Sequence, residues 1–171
     1  MPIEMRLNKH LKAAALFLLI VVQSCSSSGD KDSITNTVAG QNDLPQMVVT
    51  KPDGSQLNTK ELTGKIVLIL FQTDCDHCQR EAAAIQENIS AFKPYSVYFI
   101  TTSSHQQIET FAKEYKLADY PNVHFCQTTS QSVLDNFGHI DAPSLYIFAS
   151  DRTLVKSFNG ETPINEILKY I

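Results

Sequence analysis

Cys75 and Cys78 are the residues of this chain best suited to chemistry, because only two residues separate them. They follow a hydrophobic run at 66–71 and precede a helical stretch predicted to begin near Gln79. The amino end of a helix carries partial positive charge, which favours ionisation of a nearby thiol. A thiolate is the species that attacks a disulfide. The pattern therefore predicts thiol–disulfide exchange, with Cys75 as nucleophile and Cys78 as resolving thiol. An inert disulfide or a metal-binding pair would use the same spacing.

Two titratable residues near the cysteines are candidates for tuning this chemistry. His77 lies between them, and when protonated it would stabilise a nearby thiolate, while Asp74 and Asp76 would oppose it. A solvated surface histidine is the alternative. Glu81 is a candidate proton acceptor for Cys78, which requires a partly buried carboxylate with a raised pKa. Otherwise Glu81 is an acid in the first turn of a helix, where it contributes about 0.3–1 kcal/mol.

Cys126 lies on a predicted strand, with His124 two residues earlier on the same face. A metal site or a second redox thiol would use such a pair. A buried, unreactive cysteine is the expected state, because free cysteine behaves as a small hydrophobic residue. We expect neither a bound metal nor a cofactor.

The first 24 residues have the pattern of an export signal. Arg6, Lys9 and Lys12 precede an apolar run at 13–22 that is too short to span a bilayer comfortably. The segment ending at Cys25 resembles a bacterial lipobox and implies lipidation of that cysteine, although Gln23 departs from the motif. A cysteine that happens to end an ordinary signal peptide is the alternative. Residues 25–43 are predicted to be a flexible tether, since polar residues dominate them. These features predict a membrane-anchored lipoprotein of the cell envelope that faces the periplasm or the exterior.

The remaining sequence, 44–171, is predicted to form one globular domain. The chain has 171 residues, of which 43% are hydrophobic and 19% charged, an ordinary globular composition. Its formal net charge of −4 gives no support for nucleic-acid binding.

Strand and helix signals alternate along this domain. A β-hairpin is expected first, around the Pro52–Gly54 turn, and a second hairpin near the carboxyl end. Predicted strands are 46–50, 56–57, 65–71, 96–101, 122–126, 144–148 and 154–158; predicted helices are 81–92, 106–115, 130–137 and 162–171. Thr162 is expected to cap the last helix, with Pro163 in its first turn. The order predicts an α/β fold with a central mixed sheet covered on both faces.

This order and its landmark residues resemble the thioredoxin superfamily, and within it the membrane-anchored, TlpA-type thiol–disulfide oxidoreductases. The matching landmarks are Asp53-Gly54, Leu57, Leu62, Gly64-Lys65, Phe71, Thr73, Cys75, Cys78, Glu81 and Ala142-Pro143. The resemblance implies a thioredoxin fold with an N-terminal β-hairpin extension. It also implies that Pro143 is cis and faces the cysteines, and that Ala142 presents its backbone to a bound peptide.

Three positions depart from the usual pattern of that superfamily. Asp74 replaces the aromatic residue before the first cysteine, His77 replaces the proline before the second, and Ile69 replaces a buried acid. These departures bear on the redox potential and direction more than on the fold.

Three functions are compatible with the sequence. The leading hypothesis is an exported oxidoreductase that exchanges disulfides with envelope proteins and is served by an unidentified redox partner. A copper-binding chaperone of the same fold would use Cys75, Cys78 and a histidine. A thiol peroxidase would ordinarily have threonine three residues before its reactive cysteine, where this chain has Gln72.

Overall fold

A computed structural model of the chain describes residues 42–171. The predicted signal peptide at 1–24, Cys25 and most of the predicted tether lie outside the described residues. The last two tether residues are described, and both bond to the domain. The Asn42 side-chain amide donates to the Lys60 carbonyl at 3.1 Å, and the Asp43 carboxylate accepts from the Leu154 N–H at 2.9 Å. The domain, which was predicted to start at position 44, therefore forms hydrogen bonds with the two residues before that position as well.

The seven strands form one mixed sheet in the order β2-β1-β5-β4-β3-β6-β7. Strands β3, β4 and β5 run parallel, while β6 and β7 pair antiparallel at one edge and β1 and β2 at the other. The predicted N-terminal hairpin and central mixed sheet are confirmed. The strands are β1 Val48–Thr50, β2 Gln56–Asn58, β3 Lys65–Leu70, β4 Tyr95–Thr101, β5 Val123–Gln127, β6 Ser144–Phe148 and β7 Leu154–Asn159.

Four α-helices connect or follow these strands: α1 Asp76–Glu87, α2 His105–Glu114, α3 Ser130–Phe137 and α4 Ile164–Ile167. Two 3-10 turns, Thr59–Glu61 and Leu168–Tyr170, complete the regular structure of residues 42–171. Helix α1 differs from the prediction at both ends. It starts five residues earlier than position 81, because Cys75 caps it, and it gives way to turns at Asn88 rather than reaching position 92.

Strand β3 is buried on both faces, which accounts for its continuous apolar sequence. Val67 and Ile69 contribute to the core on the side of α1, α2 and α4, whereas Ile66 and Leu68 contribute to the core on the side of α3 and the N-terminal hairpin. The sheet therefore separates two apolar layers, and the carboxyl end of β3 leads directly into the cysteine pair.

The predicted cap of the last helix is wrong. Pro163 occupies the cap position of α4, and no side chain caps this helix. The Thr162 N–H instead donates to the carboxylate of Glu81 at 3.0 Å. The Thr162 N–H is therefore bound by an acceptor that is distant in the sequence, and Thr162 does not act as the cap of α4. Helix α4 itself is only four residues long, and a 3-10 segment follows it.

Thr59, directly after β2, bonds to the segment directly before β1 and so closes the open end of the N-terminal hairpin. Its hydroxyl is fully buried, donates to the Pro45 carbonyl at 2.6 Å and accepts from the Met47 N–H at 3.2 Å. We expect Thr59→Val, which keeps the shape and deletes both bonds, to lower the free energy of unfolding by about 1–3 kcal/mol. Denaturant titration of the full chain measures this loss.

Thr110→Val is the matched control, because the Thr110 hydroxyl bonds within an exposed helix. We expect that change to stay within about 0.5 kcal/mol. Equal losses in the two variants would contradict the role assigned to Thr59.

Candidate active site

The Cys75 sulfur caps the amino end of α1. It accepts a hydrogen bond from the Cys78 backbone N–H at 3.2 Å, and the helix begins at the next residue, Asp76. The Cys78 N–H, one of the free N–H groups of the helix start, is thus directed at this sulfur. The two sulfur atoms lie 2.6 Å apart, and both residues are thiols in the structure. The pair is placed to form a disulfide with little change in the backbone.

The two cysteines differ in exposure. Cys75 is half-buried, whereas Cys78 is 2% exposed and packs in the core beneath α1. Burial, followed by the bond to Cys75, raises the pKa of the Cys78 thiol far above its ordinary value, and the nearby charge of Glu81 adds to the rise. Of the two sulfurs, that of Cys75 is therefore the accessible one, and the Cys78 thiol loses its proton less readily than an ordinary cysteine.

The loop before β6 faces the exposed sulfur. The Ala142–Pro143 peptide is cis, as the family resemblance implied, and the Ala142 carbonyl oxygen lies 3.6 Å from the Cys75 sulfur. The end of β7 supports this loop, since the Gly160 N–H donates to the Pro143 carbonyl and the Asn159 side chain accepts from the Asp141 N–H, both at 2.9 Å. Ala142 and Cys75 thus share one surface, with polar backbone beside the reactive atom.

Glu81 lies one helical turn beyond Cys78 and is only 4% exposed. One carboxylate oxygen accepts from the Thr162 N–H at 3.0 Å, and the other has no hydrogen-bond partner among the described residues. Burial raises the pKa of Glu81 to about 7, the Thr162 bond acts in the opposite direction, and the charge of Glu161 raises it again. A carboxylate of this kind both takes up and releases a proton near neutral pH.

Among the described residues, no hydrogen bond joins His77 to either cysteine sulfur. Its Nδ1 lies 2.5 Å from a Glu161 carboxylate oxygen and 2.7 Å from an Arg80 nitrogen. Because one ring nitrogen cannot donate to Glu161 and accept from Arg80 at once, the tautomer selects one of these bonds. The Arg80 guanidinium also donates two hydrogen bonds to the Glu161 carboxylate, at 2.8 and 2.6 Å. Those bonds, with the contact to His77, lower the pKa of Glu161 to about 2.

Cys126 lies on the other side of the sheet from the cysteine pair. It is fully buried within the apolar layer that includes Ile100 and Phe148, and burial raises the pKa of its thiol to about 11. The His124 ring packs against Tyr98, with ring centroids 4.8 Å apart. Among residues 42–171 no group of three His, Cys, Asp or Glu side chains is arranged to hold a metal ion.

The structure brings together four of the site residues predicted from the sequence, namely Cys75, Cys78, Glu81 and Ala142, with Pro143 next to them. It adds three that sequence reasoning missed: Arg80, Glu161 and Thr162. Glu161 lies 81 positions after Arg80 in the sequence, and the bond from Thr162 uses a backbone N–H, which every residue type except proline has. No local signal could have identified these partners.

Comparison with known proteins identifies relatives of this chain. The AhpC/TSA family model matches residues 41–157 of the chain. The thiol–disulfide oxidoreductase ResA of Bacillus thuringiensis subsp. konkukian is 23% identical over 133 residues, which cover 75% of each of the two chains.

Two solved structures show the same fold. A secreted disulfide oxidoreductase of Mycobacterium tuberculosis superposes with a TM-score of 0.62 at 17% identity, covering 73% of this chain and 93% of that one. The copper-bound ScoI of Arabidopsis thaliana superposes with a TM-score of 0.57 at 15% identity, covering 72% of this chain and 91% of that one. The predicted thioredoxin-like fold is confirmed.

Because Glu81 is buried, the free energy of unfolding of the protein should depend on pH. In the folded protein its pKa is about 7, against an ordinary value of 4.5, so the folded state keeps a proton that the unfolded chain releases between those values. The free energy of unfolding contributed by Glu81 therefore falls as pH rises from 4.5 to 7, by an amount on the order of 2–3 kcal/mol. Glu81→Gln lacks this loss, and we expect its stability relative to wild type to increase across that window and to level off above it.

Denaturant titrations of the full chain at a series of pH values measure the difference in the free energy of unfolding between Glu81→Gln and wild type. Groups that titrate alike in the two proteins cancel in this difference. Glu87→Gln, which changes an exposed glutamate of the same helix, is the control and should parallel wild type. A Glu81→Gln curve that also parallels wild type would contradict the raised pKa.

Proposed function

The chain belongs to the AhpC/TSA family, and on that basis we propose that it is a thiol–disulfide oxidoreductase that exchanges disulfides with other proteins through Cys75 and Cys78. The observation that carries this proposal is the geometry of the sulfurs. One sulfur is accessible at a helix start, and the second lies 2.6 Å behind it with a buried carboxylate on the same helix. The name of the relative from Bacillus thuringiensis supports the same activity.

The reaction proceeds in two exchanges. The Cys75 thiolate attacks one sulfur of a substrate disulfide, forms a mixed disulfide and releases the first substrate thiolate. The Cys78 thiol then passes its proton to the Glu81 carboxylate and attacks the Cys75 sulfur. The Cys75–Cys78 disulfide forms, and the second substrate thiolate leaves. The protein dithiol has lost two electrons and the substrate disulfide has gained them; the same steps in reverse oxidise a substrate dithiol.

A cavity beside Ala142 supports a polypeptide substrate. It has a volume of about 430 Å³ and lies between α3 and the carboxyl ends of β3 and β4. Its walls are largely apolar, with contributions from Leu70, Ile100, Val133 and Leu134, and Ala142 belongs both to this cavity and to the surface facing Cys75. A peptide lying along Ala142 would place residues next to its cysteine in this cavity.

We place the enzyme in the cell envelope, held by lipid on Cys25 as a TlpA-type lipoprotein. The basic and apolar amino terminus supports this placement, and the Mycobacterium tuberculosis relative is described as secreted. Within residues 42–171 no helix has the length and apolar character needed to cross a membrane. An unidentified envelope redox partner would restore the Cys75–Cys78 pair after each turnover.

The copper and peroxidase alternatives have less support from the site. The structural relative from Arabidopsis thaliana holds copper, but the Nδ1 of His77, the histidine nearest the cysteines in sequence, lies here within hydrogen-bond distance of Glu161 and Arg80. At the position where a peroxidase would use threonine, the Gln72 amide donates to the Thr102 hydroxyl at 3.0 Å. Copper retained by the purified protein, or rapid peroxide consumption, would favour these functions over disulfide exchange.

Replacing the resolving cysteine tests the proposal directly. Cys78→Ala leaves Cys75 able to attack but removes the thiol that releases the mixed disulfide, so we expect covalent complexes with envelope proteins to accumulate. Non-reducing electrophoresis and mass spectrometry of cells that express the full chain detect these complexes and the linked residue. Cys75→Ala is the control and should trap none. Complexes linked through Cys126, or none at all from a correctly folded variant, would contradict the assigned nucleophile.

Loss of the Glu81 carboxylate should slow exchange. We expect Glu81→Gln to reduce the rate of insulin disulfide reduction at pH 7 by at least about tenfold, since a positioned base contributes factors of this size or more. The melting temperature at pH 7 should not fall, because the glutamine oxygen can still accept from the Thr162 N–H, so a loss of folded protein cannot account for the slower exchange. Glu87→Gln again serves as the control. Unchanged kinetics in Glu81→Gln would refute the proton transfer from Cys78.

A further inference from the structure

Two neighbouring residues of α1 bind two neighbouring residues of the segment between β7 and α4. On the outside, the Arg80 guanidinium forms two hydrogen bonds to the Glu161 carboxylate, at 2.8 and 2.6 Å. On the inside, the Glu81 carboxylate accepts from the Thr162 N–H at 3.0 Å. The outer and inner bonds are adjacent along both segments, so the position of one fixes the position of the other.

The inner bond is the only hydrogen bond that Glu81 receives from the described residues, and its second carboxylate oxygen has none. A buried carboxylate with one donor is sensitive to the loss of that donor, because nothing else compensates its burial. Thr162 itself lies in a segment without a helical cap, just before Pro163. Its hydroxyl donates to the Gly160 carbonyl at 3.1 Å, and the Arg80–Glu161 contact is the second interaction that can keep its N–H directed at Glu81.

We propose that Arg80 and Glu161 are positioning residues that hold the Thr162 N–H against Glu81 and thereby keep Glu81 able to accept the proton of Cys78. This inference rests on the proton transfer proposed above. Neither residue touches the sulfurs. They act through a backbone group that belongs to the residue after Glu161.

The charges around Glu81 give the direction of the effect. Cys78 faces it from the same helix and Glu161 from the adjoining segment, while the Arg80 guanidinium neutralises the charge of Glu161 and His77 contacts the same carboxylate. The Thr162 bond lowers the pKa of Glu81 more than the charge of Glu161 raises it. Removing Arg80 weakens the positioning of Thr162 and leaves Glu161 uncompensated. Both changes raise the pKa of Glu81.

The Arg80–Glu161 pair differs from the other ion pairs of the described residues. Lys113–Glu109 and Lys169–Glu166 join residues three or four apart within one helical segment, and exposed pairs of that kind contribute little to stability. Arg80–Glu161 is a planar two-bond contact between segments distant in sequence, a geometry that lysine cannot reproduce. We therefore expect the Arg80–Glu161 pair to fix the position of the Thr162 N–H rather than to add much stability. Its loss should change the titration of Glu81 more clearly than it changes the melting temperature.

Arg80→Ala in the full chain is the decisive variant. Carbon-13 NMR of glutamate carboxyl groups, with the Glu81 signal assigned by its absence in Glu81→Gln, should show the Glu81 midpoint rising by about 0.5–1 pH unit. Exchange at pH 7 should slow by about two- to fivefold, because a smaller fraction of Glu81 is ionised, and it should recover above about pH 8.5. A merely structural defect would lower the rate at every pH.

Three further variants complete the test. Arg80→Lys keeps the charge without the two-bond geometry and should restore only part of the wild-type profile. Glu161→Gln removes the opposing charge together with the contact, so its midpoint should rise less than that of Arg80→Ala. Lys113→Ala, which breaks an exposed ion pair elsewhere, should leave the profile unchanged.

The outcomes separate this inference from the proposed function. A Glu81 midpoint that is the same in Arg80→Ala and wild type, while exchange still depends on Glu81, would overturn the positioning role and leave the proposed function intact. Exchange that does not depend on Glu81 at all would instead remove the proton transfer on which the inference rests.

Discussion

The hydrogen bond from the Cys78 N–H to the Cys75 sulfur is the contact on which the site is built. It starts α1 with a sulfur where most helices use an oxygen, and it brings one free amide group of the first turn to the atom that attacks in the proposed reaction. The same bond holds the second sulfur behind the first. Position, charge and access to the partner sulfur therefore follow from a single local arrangement at the end of a buried strand.

The same arrangement makes the Cys78 thiol difficult to ionise. The backbone turn that exposes Cys75 places Cys78 in the core, where a thiol does not readily lose its proton. Glu81 is buried on the same helix, and its own burial makes it a base suited to neutral pH. Two groups that are each unfavourable to ionise thus lie one helical turn apart, as the proposed proton transfer requires. The segment after β7 matters because it supplies the N–H that keeps the carboxylate from becoming too weak an acid.

Much of this fold could be predicted from residue types alone. Strand β3 was evident from its apolar run, because a strand buried on both faces has no polar side, and α3 has the predicted bounds, with Gly138 at its end. The start of α1 was missed because a cysteine, rather than one of the usual capping residues, occupies the cap position. The assignment of Thr162 as a helix cap was wrong because the local pattern cannot show a distant acceptor. His77 was expected to act on the sulfurs, yet its contacts are with Arg80 and with Glu161, 84 residues away. Local chemistry was readable, whereas tertiary partners were not.

Redox titration of the Cys75–Cys78 pair in the full chain tests the central claim most directly. The protein is equilibrated in thiol–disulfide buffers of graded potential, free thiols are alkylated, and the peptide that carries both cysteines is quantified by mass spectrometry. The account predicts a reversible two-electron transition confined to that peptide, with Cys126 remaining a thiol throughout. A pair that stays oxidised or reduced in every buffer, or that forms its disulfide with Cys126, would contradict it.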